Sequence, residues 1–179
     1  MRTPVFFQSK VERLERAGDL GAIVAVLSVR TDKMYERAHA AKALADCADR
    51  LGPIREQAVG VLMLAADEPS EVRKWALFAL AELRESRAMP AFRRAARDGD
   101  WMIRIFAAHG FDRLRSSDSL VEVVGLLDDR ESGVREAAAA ALASIGDGRV
   151  RPLLERTAMT DPYPWVREAA QEALDALAR

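Results

Sequence analysis

The chain of 179 residues predicts an all-α fold: an α-solenoid, a right-handed superhelical stack of five helical hairpins behind an N-terminal capping helix. Three observations carry that prediction. Arg37, Arg73, Arg104, Arg135 and Arg167 recur at steps of 36, 31, 31 and 32 residues, the period of stacked helix pairs. Each is followed at +3 by alanine (Ala40, Ala76, Ala107, Ala138, Ala170) and at +7 by a large apolar residue (Leu44, Leu80, Phe111, Leu142, Leu174). Half the residues are apolar and only 6% aromatic, as suits closely packed helices rich in alanine.

The elements follow in order. Ser9 is placed to cap a short helix over Lys10–Ala17, ended by Gly18, which covers the open end of the first repeat. Each repeat then reads as a first helix, A, an acidic turn, and a second helix, B, that carries the arginine. Counted from the arginine, positions −1, +3, +6, +7 and +10 share one helical face, as in Val134, Ala138, Ala141, Leu142 and Ile145. Position +6 is always small (Ala43, Ala79, Gly110, Ala141, Ala173), which marks a close approach of two helix backbones. Helix A is visible at 120–127 and 150–154, and Pro90 and Pro152 suit its first turn.

Six residues before the arginine stand Asp67, Asp98, Asp129 and Asp161; the first repeat has Thr31 there and Asp32 next to it. Acid and arginine recurring together read as a structural ladder, the carboxylate tying the turn and the guanidinium reaching it from within or beside the repeat. A row of arginines aligned for an anionic ligand is the second reading. The cap takes residues 1–18 and the repeats 19–51, 52–86, 87–116, 117–147 and 148–179, all in a single domain. Repeat 1, with its long link through residues 46–53, is the expected weak point of a stack that unfolds by nearest-neighbour steps.

Asp161-Pro162-Tyr163-Pro164-Trp165-Val166-Arg167 with Ala170 and Leu174, and the stretch from Asp128 to Ala138, resemble the HEAT-like repeat of the phycobilisome-lyase type. The resemblance covers about residues 20–178, with repeats 2, 4 and 5 nearest the pattern. It implies that helix B lines a concave binding wall, at positions +1, +5 and +8. It does not imply one activity, because the repeat serves many roles.

Composition removes several classes of function. A net charge of −1 argues against binding polyanions by bulk charge. The single cysteine, Cys47, excludes an internal disulfide framework and suits a buried apolar role. The opening residues lack the apolar run of a signal peptide and nothing approaches a membrane span, so a cytoplasmic protein with no membrane partner is expected. No phosphate loop, Cys-x-x-Cys or Gly-x-Ser-x-Gly is present. With two histidines, His39 and His109, and no His-Glu dipeptide of the iron-holding HEAT-type hydroxylases, neither a metal, a cofactor nor catalytic residues are expected.

The candidate site is a departure from pattern in repeats 2 and 3. Where the outer repeats carry small or charged residues (Glu136, Ala140, Ala143; Glu168, Glu172, Asp175), the inner ones carry Phe78, Ile105 and His109. Trp75 and Phe106 flank them at +2, and Trp101 lies just before helix B of repeat 3. Trp75, Phe78, Trp101, Ile105 and His109 are therefore the candidate partner-binding residues, with core filling as the competing reading for Trp75 and Phe106. Charge divides too. Residues 84–115 hold eight basic and four acidic side chains, and residues 116–179 seven basic and twelve acidic.

The leading expectation is a non-enzymatic scaffold or adaptor that binds a protein through the concave face. Nucleic-acid binding in the manner of HEAT-like alkylpurine DNA glycosylases is the second, with Trp75, Trp101 and Asp112 as the nearest candidates. An accessory subunit of a bilin lyase or related maturation system, with arginines near an apolar groove, is the third.

Overall fold

The computed structural model describes residues 9–29, 33–68 and 71–179. All regular structure among them is helical. The helices are α1 (Lys10–Ala17), α2 (Leu20–Ser28), α3 (Met34–Asp46), α4 (Arg55–Ala65), α5 (Glu71–Glu82), α6 (Met89–Ala95), α7 (Trp101–Leu114), α8 (Leu120–Leu127), α9 (Ser132–Ile145), α10 (Arg151–Thr160) and α11 (Pro164–Leu177). After α1 they alternate as A and B: α2/α3, α4/α5, α6/α7, α8/α9 and α10/α11. Their contacts gather into two compact units, 1–79 and 80–179.

In the first unit, Ser9 and Glu12 close a reciprocal capping box at the start of α1, and Gly18 ends it in the left-handed conformation. Val11 of α1 is buried with Ile23 and Leu27 of α2 and with Ala40, Ala43 and Leu44 of α3. Arg37 donates through Nε to the Leu27 carbonyl, and its two terminal nitrogens meet both oxygens of Glu68 at 2.6 Å. The acid used is thus the neighbour of Asp67. Thr31 and Asp32, the expected turn residues of repeat 1, lie outside the described residues.

The second unit shows how the period is built. Arg104 holds the Asp129 carboxylate side-on, through Nε at 2.7 Å and Nη2 at 2.8 Å, while Nη1 donates to the carbonyls of Asp98 and Gly99. Arg135 repeats this on Asp161, at 2.7 and 2.9 Å, with Nη1 on the carbonyls of Asp129 and Arg130. Each aspartate therefore gives its carbonyl to the arginine of its own repeat and its carboxylate to the arginine of the repeat before. The same carboxylate also ties its own turn, Asp129 accepting the Glu131 amide and Asp161 the Tyr163 amide. Arg167 keeps the carbonyl half of the pattern, on Asp161 and Pro162.

Burial alone would raise the Asp129 carboxyl, but the Arg104 hydrogen bonds, the Glu131 amide and the Arg104 charge outweigh it and hold the group below the ordinary carboxylate range. Asp161 is lowered first by its hydrogen bonds to Arg135, against the opposing effect of burial. Pairs this well enclosed persist because all three guanidinium nitrogens and both carboxylate oxygens are hydrogen-bonded.

Three of the B helices, α5, α7 and α9, end alike. At +11 the chain turns left-handed, at Arg84 (φ 49°), Arg115 (φ 52°) and Gly146 (φ 74°). The next residue then caps a short 3₁₀ turn: Glu85 accepts the Arg87 amide, Ser116 that of Asp118 and Asp147 that of Arg149. In repeat 3 the small +6 residue answers to a side chain rather than to a backbone. A Cβ on Gly110 would stand 2.4 Å from the buried ring of Phe92, which packs edge-on to Phe111. At +4, Ala41, Leu77, Ala108 and Ala139 are buried, whereas Gln171 of α11 is exposed. The last of these B helices thus wears a polar residue where the others are apolar.

Candidate interaction surface

In the first unit, Trp75 and Phe78 lie one turn apart on α5 and are both half-buried. Their rings meet edge to face at a centroid distance of 5.8 Å, and the Lys42 ammonium sits 5.9 Å from the Trp75 centroid. The pair is neither solvated nor sealed in the core. Such aromatic surface is what a partner desolvates at low entropic cost.

In the second unit, Trp101, Ile105 and His109 fall four residues apart along α7. Trp101 opens the helix, next to the Asp100 cap, and is 45% exposed. Ile105 is half-buried, and its Cδ1 would lie 3.3 Å from a Cβ on Gly133 at the start of α9. It therefore leans into the seam between neighbouring repeats, where the missing side chain makes room. His109 places Nε2 2.7 Å from Glu82, and Arg113 reaches the other oxygen of the same carboxylate at 3.0 Å. Asp112 accepts the Ser144 hydroxyl and ties α7 to α9. Phe106 is half-buried like Trp75, so neither is a plain core residue.

The ladder arginines do not form an anion site in this unit. A surface cavity of about 420 Å³ beside the turns of repeats 4 and 5 is lined by Asp129, Arg135, Arg156, Thr157 and Asp161. Its cations are already spent: Arg135 on Asp161 and Arg156 on Asp128. Among the described residues no three His, Cys, Asp or Glu side chains converge as a metal site would need, and no helix is long and apolar enough to cross a membrane. Cys47 is buried and receives a hydrogen bond from Arg50.

Among the described residues the exposed aromatic side chains keep to one place in the repeat, a recurrence the sequence pattern alone did not bring out. Tyr35 (80% exposed), Trp101, Tyr163 and Trp165 (44% each) all stand two to four residues before a ladder arginine, at the mouth of a B helix. Counting back from each arginine would have found them.

A family profile described as HEAT repeats matches residues 58–124 and 100–175. No curated protein sequence matches the chain. Among solved structures, the complex of CpcE and CpcF of phycocyanin lyase from Nostoc sp. PCC7120 is similar at 20% identity and a TM-score of 0.78, over 99% of this chain and 69% of that one. A designed armadillo repeat protein in complex with the peptide (KR)4 is similar at 22% identity and a TM-score of 0.73, over 93% and 85%. Human deoxyhypusine hydroxylase in complex with glycerol follows at 20% identity and a TM-score of 0.57, over 92% and 75%. These likenesses establish the HEAT and armadillo class of all-helical solenoid.

Proposed function

The chain belongs to the HEAT repeat family, and we propose that it is a non-enzymatic module that binds a protein segment along its wall of B helices. The observations that carry this reading are the half-open side chains within each unit: Trp75 and Phe78 on α5 in the first, and Trp101 and Ile105 on α7 in the second. Chemistry at the same helices finds little support, because His109 and Asp112 each have a structural partner in Glu82 and Ser144. Two of the similar structures, the CpcE–CpcF pair and the designed protein with its peptide, are themselves complexes with another chain.

The test is capture from native lysate, with the wild type beside a Phe78→Asp, Ile105→Asp variant and a nuclease-treated arm. A protein held by the wild type, lost by the variant and indifferent to nuclease is the expected result. Recovery that vanishes with nuclease would replace the reading with nucleic-acid binding, whose affinity would then fall steeply with salt.

A further inference from the structure

We propose that the open face of α11 is the docking surface for a cationic segment, one whose arginine side chains seat against Trp165 and pair with the carboxylates that follow it. This rests on the reading of the B helices as a binding wall, and it names the chemistry of the partner. Trp165, Glu168, Glu172 and Asp175 are all exposed and recur at i, i+3, i+7 and i+10. At about 100° per residue they share one stripe, on the side away from the buried Val166, Ala170, Ala173 and Leu174.

The charge of the stripe is not neutralised from within. Several other carboxylates of this unit are taken up by cations or hydroxyls: Asp129 by Arg104, Asp161 by Arg135, Glu82 by His109 and Arg113, Asp112 by Ser144. Glu168 and Glu172 make no side-chain hydrogen bond or ion pair among the described residues, and Asp175 accepts only the Gln171 amide. Arg167, on the same helix, is turned to the Asp161 and Pro162 carbonyls instead. On the neighbouring α9, the equivalent of Glu168 is Glu136, exposed and equally without a partner. A surface that leaves four carboxylates unopposed attracts cations and repels nucleic acid and anionic membranes.

The aromatic head of the stripe points to arginine. Tyr163 and Trp165 lie ring to ring at 4.8 Å, and the Arg135 guanidinium already sits 5.8 Å from the Tyr163 centroid. The chain thus seats one of its own guanidinium groups on the tyrosine of this pair, while Trp165 keeps 44% of its surface open to a second. A cation over tryptophan with carboxylates one and two turns further on combines two attractions that neither a neutral nor an acidic segment can supply.

The experiment uses the full chain and a fluorescein-labelled peptide of alternating arginine and glycine, with the alternating glutamate and glycine peptide as control, followed by anisotropy at low salt. Saturable binding of the arginine peptide alone is expected, weakening as salt rises. Trp165→Ala should weaken it about threefold to fivefold, as an exposed cation–π contact does. Glu168→Lys with Glu172→Lys should weaken it at least about tenfold. Both variants change exposed side chains, and unchanged helicity by circular dichroism verifies their fold. Absence of saturable binding would overturn the proposal. So would binding that Trp165→Ala leaves untouched, which would mean unspecific attraction. If the lysate partner is lost with Phe78→Asp, Ile105→Asp but kept by both α11 variants, the binding module stands and this inference falls.

Discussion

The two units use the same arginine in two ways, and the difference shows what the repeat period controls. In unit 80–179, where the steps are 31 and 32 residues, Arg104 and Arg135 meet the next repeat's aspartate side-on and keep Nη1 for the carbonyls of their own turn. In unit 1–79, where the step from Arg37 to Arg73 is 36, Arg37 turns end-on. It spends Nε on the Leu27 carbonyl and takes Glu68 rather than Asp67. Longer spacing moves the carboxylate past the regular position, and the guanidinium follows it by changing which edge it presents. A bidentate contact survives the shift because a planar fork offers more than one pair of parallel donors.

The largest expected effect breaks that contrast directly. Arg104→Ala strands the enclosed Asp129 carboxylate together with the Asp98 and Gly99 carbonyls, and should cost about 3–5 kcal/mol in denaturant unfolding. Arg37→Ala frees one carbonyl rather than two, so its cost should be smaller; an equal or larger cost would refute the contrast. Acid removes the same interaction reversibly. Because the native carboxyls of Asp129 and Asp161 lie below the ordinary value, their contribution is complete above roughly pH 4–5 and is lost as pH falls through the native values. The wild type should therefore lose stability on acidification below about pH 4, and Asp129→Asn with Asp161→Asn should flatten that slope.

A smaller effect belongs to repeat 3 alone. Gly110→Ala drives a methyl group into the Phe92 ring and should cost about 1–3 kcal/mol, whereas Ala141→Gly at the same position of repeat 4 removes only a methyl group and leaves no clash. The smallest effect has the opposite sign. Arg115→Gly relieves a left-handed residue at the end of α7 and should raise the melting temperature, by a free energy of up to about 1 kcal/mol; a loss would show that the Arg115 side chain holds something.

The repeats and their helix pairs were legible because one residue type, arginine, marks every period. The existence of the ladder was legible for the same reason, but its direction was not. Asp129 lies 25 residues after Arg104 and six before Arg135, and both arginines do in fact hold it, by different atoms. The helix ends were hidden because Arg84, Arg115 and Gly146 share a backbone conformation and no chemistry, and Glu85, Ser116 and Asp147 share a capping role across three residue types. The pairing of Phe92 with Gly110 exchanges bulk between helices A and B, which no period can show. Of the candidate residues, the Trp75–Phe78 pair and the row on α7 stand as half-open surface. The seam contact of Ile105 and the Glu82 partner of His109 depend on neighbouring repeats, beyond what spacing along one helix conveys.

The measurement that bears most directly on the binding wall is hydrogen exchange of the full chain, free and bound to the protein captured from lysate. Slowed exchange on α5, α7, α9 and α11, with α4, α6, α8 and α10 unchanged, is the predicted result. Protection confined to the A helices would contradict it.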